Sequence, residues 1–281
     1  MIPTGAFRLS VPALLLACCL AVAPPLAAQA QTSPPGNFQP TVGQPGKDVV
    51  WVPTAQTLVD RMLDMAQVTP NDVLFDLGSG DGRTVITAAK RGVKAMGVEY
   101  NPDMVNLSRS NAEKEGVSKL AEFVNADIFV TDFSQATVVT LFLLPDLNVQ
   151  LRPKILDMKP GTRVVSNSFD MGDWKSDEYA EVANDCRSYC RAFLWYVPAK
   201  VAGTWKLGTG ELTLKQTYQM LTGTLSLNGT KTEIADGRMK GDTISFTAGG
   251  HGFSGKVTGT TIAFTGTLAN GQPVGSATRN P

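Results

Sequence analysis

Val73 to Gly82 read V-L-F-D-L-G-S-G-D-G, an apolar run of strand length that breaks into a loop with glycines at 78, 80 and 82. Glycines in a turn between strand and helix let backbone N–H groups approach a ligand closely, because no Cβ stands in the way. A Gly-x-Gly-x-x-Gly spacing points to a dinucleotide; here the spacing is Gly-x-Gly-x-Gly, and Asp76 stands two residues before the first glycine. A carboxylate there repels phosphate oxygens and attracts an ammonium. S-adenosylmethionine offers an ammonium, a carboxylate and a ribose in place of phosphates. Asp76, Gly78, Ser79, Gly80, Asp81 and Gly82 therefore read as a cradle for that cofactor.

A glycine triplet alone is more often a tight turn, so the reading rests on the two strands after it. Thr84 to Lys90 have helical character, and Ala95 to Val98 form a strand ending at Glu99, where a βαβ unit puts the group that takes ribose hydroxyls. Asn101-Pro102 has the form of an N-cap followed by proline at the first helical position, opening a helix to Glu115. A third strand, Ala121 to Asn125, runs into Asp127-Ile128. That acid and apolar neighbour suit the amino group and ring face of adenine, although an acid at a strand end is about as often a helix cap or solvated turn. Thr54, after Pro53, reads first as the N-cap of a helix over Ala55 to Met65 and only second as a cofactor contact.

These motifs resemble those of the class I S-adenosylmethionine-dependent methyltransferases, with D-L-G-S-G-D-G as first motif, G-V-E-Y-N as second and N-A-D-I as adenine motif. The resemblance covers about Trp51 to Pro198. It is closest to a lysine-methylating branch that includes the non-SET histone-lysine enzymes and small mitochondrial protein-lysine enzymes, the latter through V-V-T-L-F-L-L-P at Val138 to Pro145. Bacterial proteins of this type with a signal peptide, a W-V-P-T segment and a P-A-K-V-A-G-T-W junction into a small β-domain are also similar; the last two stand here at Trp51 to Thr54 and Pro198 to Trp205. The resemblance implies methyl transfer to an amine of a protein lysine or small molecule. The reaction is an in-line displacement in which the protein supplies position and desolvation. A lysine channel calls for aromatics, carbonyls and an acid, and Asn167 to Trp174 supplies candidates in Phe169, Asp170, Asp173 and Trp174. The same segment also reads as a polar loop with an aromatic anchor. His251, the only histidine, falls in the β-domain as a surface strand or turn residue, so no histidine base serves the pocket.

Strands near 73–77, 95–99, 121–125, 137–143 and 162–167, with helices between most of them, predict an α/β fold: a Rossmann-like, doubly wound methyltransferase sheet of seven strands. Glu178 to Ala183 and Tyr189 to Val197 supply its closing antiparallel hairpin. Helical patterns stop near Lys200. Beyond it Gly241 to Thr247 recurs as Gly259 to Thr265, an offset of eighteen, with Ile244 and Phe246 matched by Ile262 and Phe264 on one face. This predicts an all-β meander of about six to eight strands, closed or nearly closed into a small, lipocalin-like barrel. A barrel this short is more readily filled by its own side chains than by a ligand.

Arg8, the apolar run Val11 to Val22 and Ala28-Gln29-Ala30 read as a signal peptide over residues 1–30, with a weak lipobox-like alternative that lipidates Cys18. Residues 31–47 read as a flexible leader, 48–198 as the methyltransferase domain and 199–281 as the β-domain. The expected location is periplasmic or extracellular, with no transmembrane helix in the mature chain and an oligomeric state the sequence does not address. Cys186 and Cys190 then form either a disulfide or two thiols; Cys-x-x-x-Cys without a nearby histidine is a poor zinc site, and no metal is expected. Twenty-five basic residues balance twenty-five acidic ones, so there is no surplus to hold nucleic-acid phosphates. Two functions stay open: a methyltransferase, and a non-catalytic envelope binding module that keeps the fold, since the cofactor is made in the cytosol.

Overall fold

Continuous apolar runs, whose successive residues face opposite sides of each strand, drive the first half of the chain into three layers. In a computed structural model, which describes residues 1, 38–266 and 274–279, seven strands form one sheet: β1 (Val73–Leu77), β2 (Lys94–Glu99), β3 (Ala121–Asn125), β4 (Val138–Leu141), β5 (Arg163–Asn167), β6 (Glu178–Glu181) and β7 (Arg191–Tyr196). Their order is β3-β2-β1-β4-β5-β7-β6, with β1 to β5 parallel and β7 antiparallel to both its neighbours. Leu74, Val138 and Val165 face one layer, with helices α1 (Gln56–Met65), α2 (Arg83–Lys90) and α3 (Pro102–Lys114). Phe75, Val139 and Val164, one residue out of phase, face α4 (Pro145–Leu156) and Trp174. The two-residue period of a strand thus builds two cores on one sheet.

The helix starts follow local chemistry. Asn101 caps α3, its side chain accepting the Asp103 N–H at 2.9 Å. Thr54 does not cap α1 as its sequence context suggests: the N-cap is Ala55, and the Thr54 hydroxyl instead accepts from Asn167 Nδ2 at 3.1 Å. The cap is lost because the end of β5 claims that oxygen.

The second half forms eight antiparallel strands: β8 (Gly203–Leu207), β9 (Gly210–Thr217), β10 (Met220–Leu227), β11 (Thr230–Lys240), β12 (Thr243–Ala248), β13 (His251–Thr258), β14 (Thr261–Thr265) and β15 (Ser276–Arg279). They close into a barrel through β15 on β8. The repeated hairpin accounts for β12 and β14, and Ile244, Phe246, Ile262 and Phe264 all point inward beside Trp205. Its own side chains pack the interior, and His251 is exposed at a strand start.

Sheet and barrel meet along the segment between β5 and β6 and just after β7. Trp174 stacks on Tyr218 with centroids 6.0 Å apart, Gln219 Nε2 donates to the Lys175 carbonyl at 2.7 Å, and the Ala199 N–H donates to the Gly241 carbonyl at 2.8 Å.

The signal-peptide reading, with Cys18, and residues 31–37 of the expected leader lie outside the described residues, Met1 excepted. The rest of that leader is not a free linker. Trp51 N–H donates to the Gln44 carbonyl and Gly43 N–H to the Trp51 carbonyl, both at 2.9 Å, folding residues 43–51 into a turn over the sheet's edge. The backbone pairs with itself there, so little apolar surface is needed. Among the described residues, no helix is long and apolar enough to cross a membrane.

Candidate active site

A cavity of about 510 Å³ opens over the carboxyl ends of the parallel strands, where doubly wound sheets take ligands. Each strand end delivers a different group. After β1 come Gly78, Ser79, Gly80 and Asp81; β2 ends in Glu99; Asp127 and Ile128 follow β3; Phe142 to Leu144 follow β4; Phe169 follows β5. Ten of the thirteen site residues named from sequence belong to this neighbourhood, nine of them on the cavity wall and Gly82 just behind it.

The loop needs its glycines. Gly78, Gly80 and Gly82 have φ of +84°, +54° and +82°, and a Cβ on Gly80 would stand 2.7 Å from Trp51 Nε1. Glu99 holds the loop in place: Oε2 accepts the Gly80 N–H and Oε1 the Asn101 N–H, each at 2.9 Å. Asp81 is turned toward Arg83, 2.6 Å away, whose Nη1 also donates to the Thr54 carbonyl at 2.8 Å.

Asp76 is buried at the floor. Thr140 on β4 donates to its Oδ1 at 2.7 Å. Burial pushes the carboxyl up to about 7, the nearby charges of Glu99 and Asp81 push the same way, and the Thr140 and Thr84 hydroxyls oppose them. An acid in this state gains most from a cation placed beside it. Ser79 Oγ is likewise buried there and, among the described residues, has no hydrogen-bond partner. An acid awaiting a cation, an orphaned hydroxyl and a loop bent by three positive-φ glycines fit S-adenosylmethionine. Asp76 and the glycine loop would hold its amino-acid end, Glu99 its ribose, and Asp127 with Ile128 its adenine.

Asp127 already has partners. It accepts the Phe129 N–H at 2.8 Å and pairs with Lys47 at 2.7 Å. The Lys47 hydrogen bond holds its carboxyl below the usual range, and Lys47 is raised in turn. Lys47 also lies 5.1 Å from the Tyr100 ring centroid, so residues 44–47 form one wall of the cavity.

The acceptor candidates divide. Phe169 lines the cavity, its carbonyl held by Asn148 Nδ2 of α4 at 3.3 Å. Asp170, Asp173 and Trp174 do not. Asp170 closes a turn on the Gly172 N–H at 3.0 Å; Asp173 pairs with Arg152 and accepts from the Tyr218 hydroxyl at 2.9 Å; Trp174 is buried against Trp195 and Tyr218. The alternative reading, a polar loop with an aromatic anchor, describes these three: the barrel's Tyr218 takes Asp173 and Trp174, and Asp170 is exposed in its own turn. Sequence reasoning missed Phe142, Tyr189 and Trp51. Phe142 sits inside the quoted V-V-T-L-F-L-L-P motif, which was its available signal; Tyr189 had none beyond its place between two cysteines. Those cysteines, Cys186 and Cys190, are joined in a disulfide.

Comparison with known proteins points to the same cofactor. The model of the ANTKMT methyltransferase domain matches residues 76–178. A protein-lysine N-methyltransferase of Saccharolobus islandicus is 46% identical over 137 residues, 48% of this chain and 85% of its own. A rat lysine N-methyltransferase named for ATP synthase is 38% identical over 45% of this chain, which spans only 59% of that relative's length. A crystal structure described as an RNA methyltransferase from Salinibacter ruber, in complex with S-adenosyl-L-homocysteine, is 46% identical and superposes with a TM-score of 0.50, covering 53% of this chain and 96% of that one.

Proposed function

Because the chain belongs to the S-adenosylmethionine-dependent methyltransferases, in the family that includes the archaeal protein-lysine N-methyltransferase, we propose that its methyl acceptor is the ε-amino group of a protein lysine. The observation that carries this is the division of the cavity. Its acids and glycines sit over β1, β2 and β3, whereas Phe142 after β4 and Phe169 after β5 give the other half an apolar wall suited to an aliphatic amine arm. When bound, S-adenosylmethionine supplies an electrophilic methyl group. Asp76 and the loop at Gly78 to Gly80 fix its position, Glu99 orients the loop, and Phe142 and Phe169 exclude water, which favours the neutral, nucleophilic amine.

The description of the Salinibacter relative favours a second reading, an RNA acceptor. The balance of twenty-five basic against twenty-five acidic residues weighs against it, since backbone binding of RNA draws on a basic surplus. The test is transfer of labelled methyl from S-adenosylmethionine into total protein and total RNA of the native host. Label recovered as N-methyl-lysine after acid hydrolysis supports the proposal; label released by ribonuclease overturns it. Calorimetry showing no S-adenosylmethionine binding would favour the non-catalytic binding module.

We also propose export with cleavage near Ala30. Arg8, the apolar run after it and the small-residue site support this, as does the Cys186–Cys190 disulfide, a bond that persists in oxidising compartments. Mass spectrometry of protein from the native host should find a chain starting close to Gln31; a full-length product rejects the proposal.

A further inference from the structure

Three aromatic rings close one end of the cavity. Phe142 and Phe169 lie with centroids 6.1 Å apart, and Tyr189 lies 5.3 Å from Phe142 and 5.8 Å from Phe169. All three line the cavity, and they come from three neighbouring strands: the ends of β4 and β5 and the loop that leads into the antiparallel β7. Phe142 and Phe169 are carried by parallel strands. Tyr189 is held differently.

Tyr189 lies inside the five-residue loop closed by Cys186 and Cys190, and its φ of +58° is rare for an aromatic residue. The residue remains 44% exposed, so burial does little to hold it. Two backbone bonds anchor the loop's base, Val182 N–H to the Cys190 carbonyl at 3.0 Å and Ser168 N–H to the Arg191 carbonyl at 2.8 Å. The second ties it to the residue preceding Phe169. A short covalent ring limits the conformations open to the tyrosine.

We infer that Phe142, Phe169 and Tyr189 form an aromatic collar through which the acceptor amine reaches the cofactor, with the Cys186–Cys190 bond holding Tyr189 as its third side. This rests on the amine-acceptor reading above and names its specificity element. Ring faces attract an ammonium on entry, and ring edges pack along a methylene chain. An amine arm gains from all three rings; a cofactor with no arm touches none of them to advantage.

The test compares two probes by calorimetry on the intact chain: S-adenosylhomocysteine, and an analogue whose sulfur is replaced by nitrogen bearing an aminobutyl arm. In the wild type the arm should strengthen binding about tenfold. Tyr189→Ala and the Cys186→Ser/Cys190→Ser pair should lose most of that gain while binding S-adenosylhomocysteine as before, and Tyr189→Phe should keep it. A gain that survives both Tyr189→Ala and the double serine variant overturns the collar. No gain in the wild type, with S-adenosylhomocysteine still bound, rejects the amine-acceptor reading and the collar with it.

Discussion

Arg238 on the barrel strand β11 donates to Oδ1 of Asp177 at 2.6 Å, while Oδ2 of the same carboxylate accepts the Tyr196 N–H of β7 at 2.9 Å. One acid is shared by barrel and sheet. The Asp177 side chain is 4% exposed and Arg238 is 41% exposed, so the carboxylate, not the guanidinium, bears the consequence of breaking the pair.

Arg238→Ala should therefore destabilise the protein by roughly 1–3 kcal/mol, at the lower end because water reaches the guanidinium. Urea unfolding followed by tryptophan fluorescence checks this, since Trp174 and Trp195 lie at the seam. The barrel has its own closed core, so an isolated 199–281 fragment should still fold as β-structure. The sheet half, with Trp174 stripped of Tyr218, should be the less stable piece. A fragment without strand signal by circular dichroism contradicts this.

Asp76 gives the apo protein a pH dependence of definite sign. Folding raises its carboxyl from an ordinary value of 3.8 to about 7, so the folded chain holds the extra proton between those values. The stability tied to that proton is complete below about 4 and is lost as pH rises through about 7. A cation bound beside Asp76 reverses the preference. S-adenosylmethionine binding should release a proton near pH 6 to 7 and tighten as pH rises. Calorimetry in buffers of different ionisation enthalpy measures that release, and Asp76→Asn should reduce it to what the cofactor's own amine contributes. Equal proton release in wild type and variant would assign the effect elsewhere.

The parallel strands and the cavity residues at their ends were legible because both obey local rules. Val73 to Leu77 and Ala121 to Asn125 carry their strand ends in the sequence, and Asn101-Pro102 carries its cap. What was not legible depended on partners distant in the chain. The Thr54 hydroxyl went to Asn167, 113 residues away, and Asp173 to Tyr218, 45 residues away. Tyr189 became a cavity residue through a strand order, β4-β5-β7, that no local pattern announces. Residues 43–47 of the expected leader differ for another reason: few apolar residues predict disorder, but a turn whose backbone groups bond to each other needs few of them.

Gly80 and Trp51 meet at a tight point of the cradle. Gly80→Ala brings a Cβ to 2.7 Å from the indole and places a non-glycine at φ +54°, a conformation that costs about 1–2 kcal/mol. The indole must move, and cofactor affinity should fall by at least about tenfold. If steric conflict with the indole is the cause, adding Trp51→Ala should recover part of the folding stability lost in Gly80→Ala, a non-additivity that thermal unfolding of the four proteins reads directly. Additive losses would show that only the backbone conformation matters.

Lys47 closes the cavity beside Asp127, and its prediction separates a wall from a linker. Its ammonium meets Asp127 at 2.7 Å and lies between the rings of Tyr100 and Phe129, 5.1 and 5.8 Å from their centroids. The pair is a third exposed on the lysine side, so salt screens it. If this turn covers bound cofactor, Lys47→Ala should speed cofactor dissociation and leave association nearly unchanged. The difference from wild type should shrink as salt rises from about 50 mM toward about 1 M, where screening acts within about 3 Å. Stopped-flow displacement of a fluorescent cofactor analogue resolves the two rates. Equal dissociation rates at low salt would return residues 44–47 to the role of a leader.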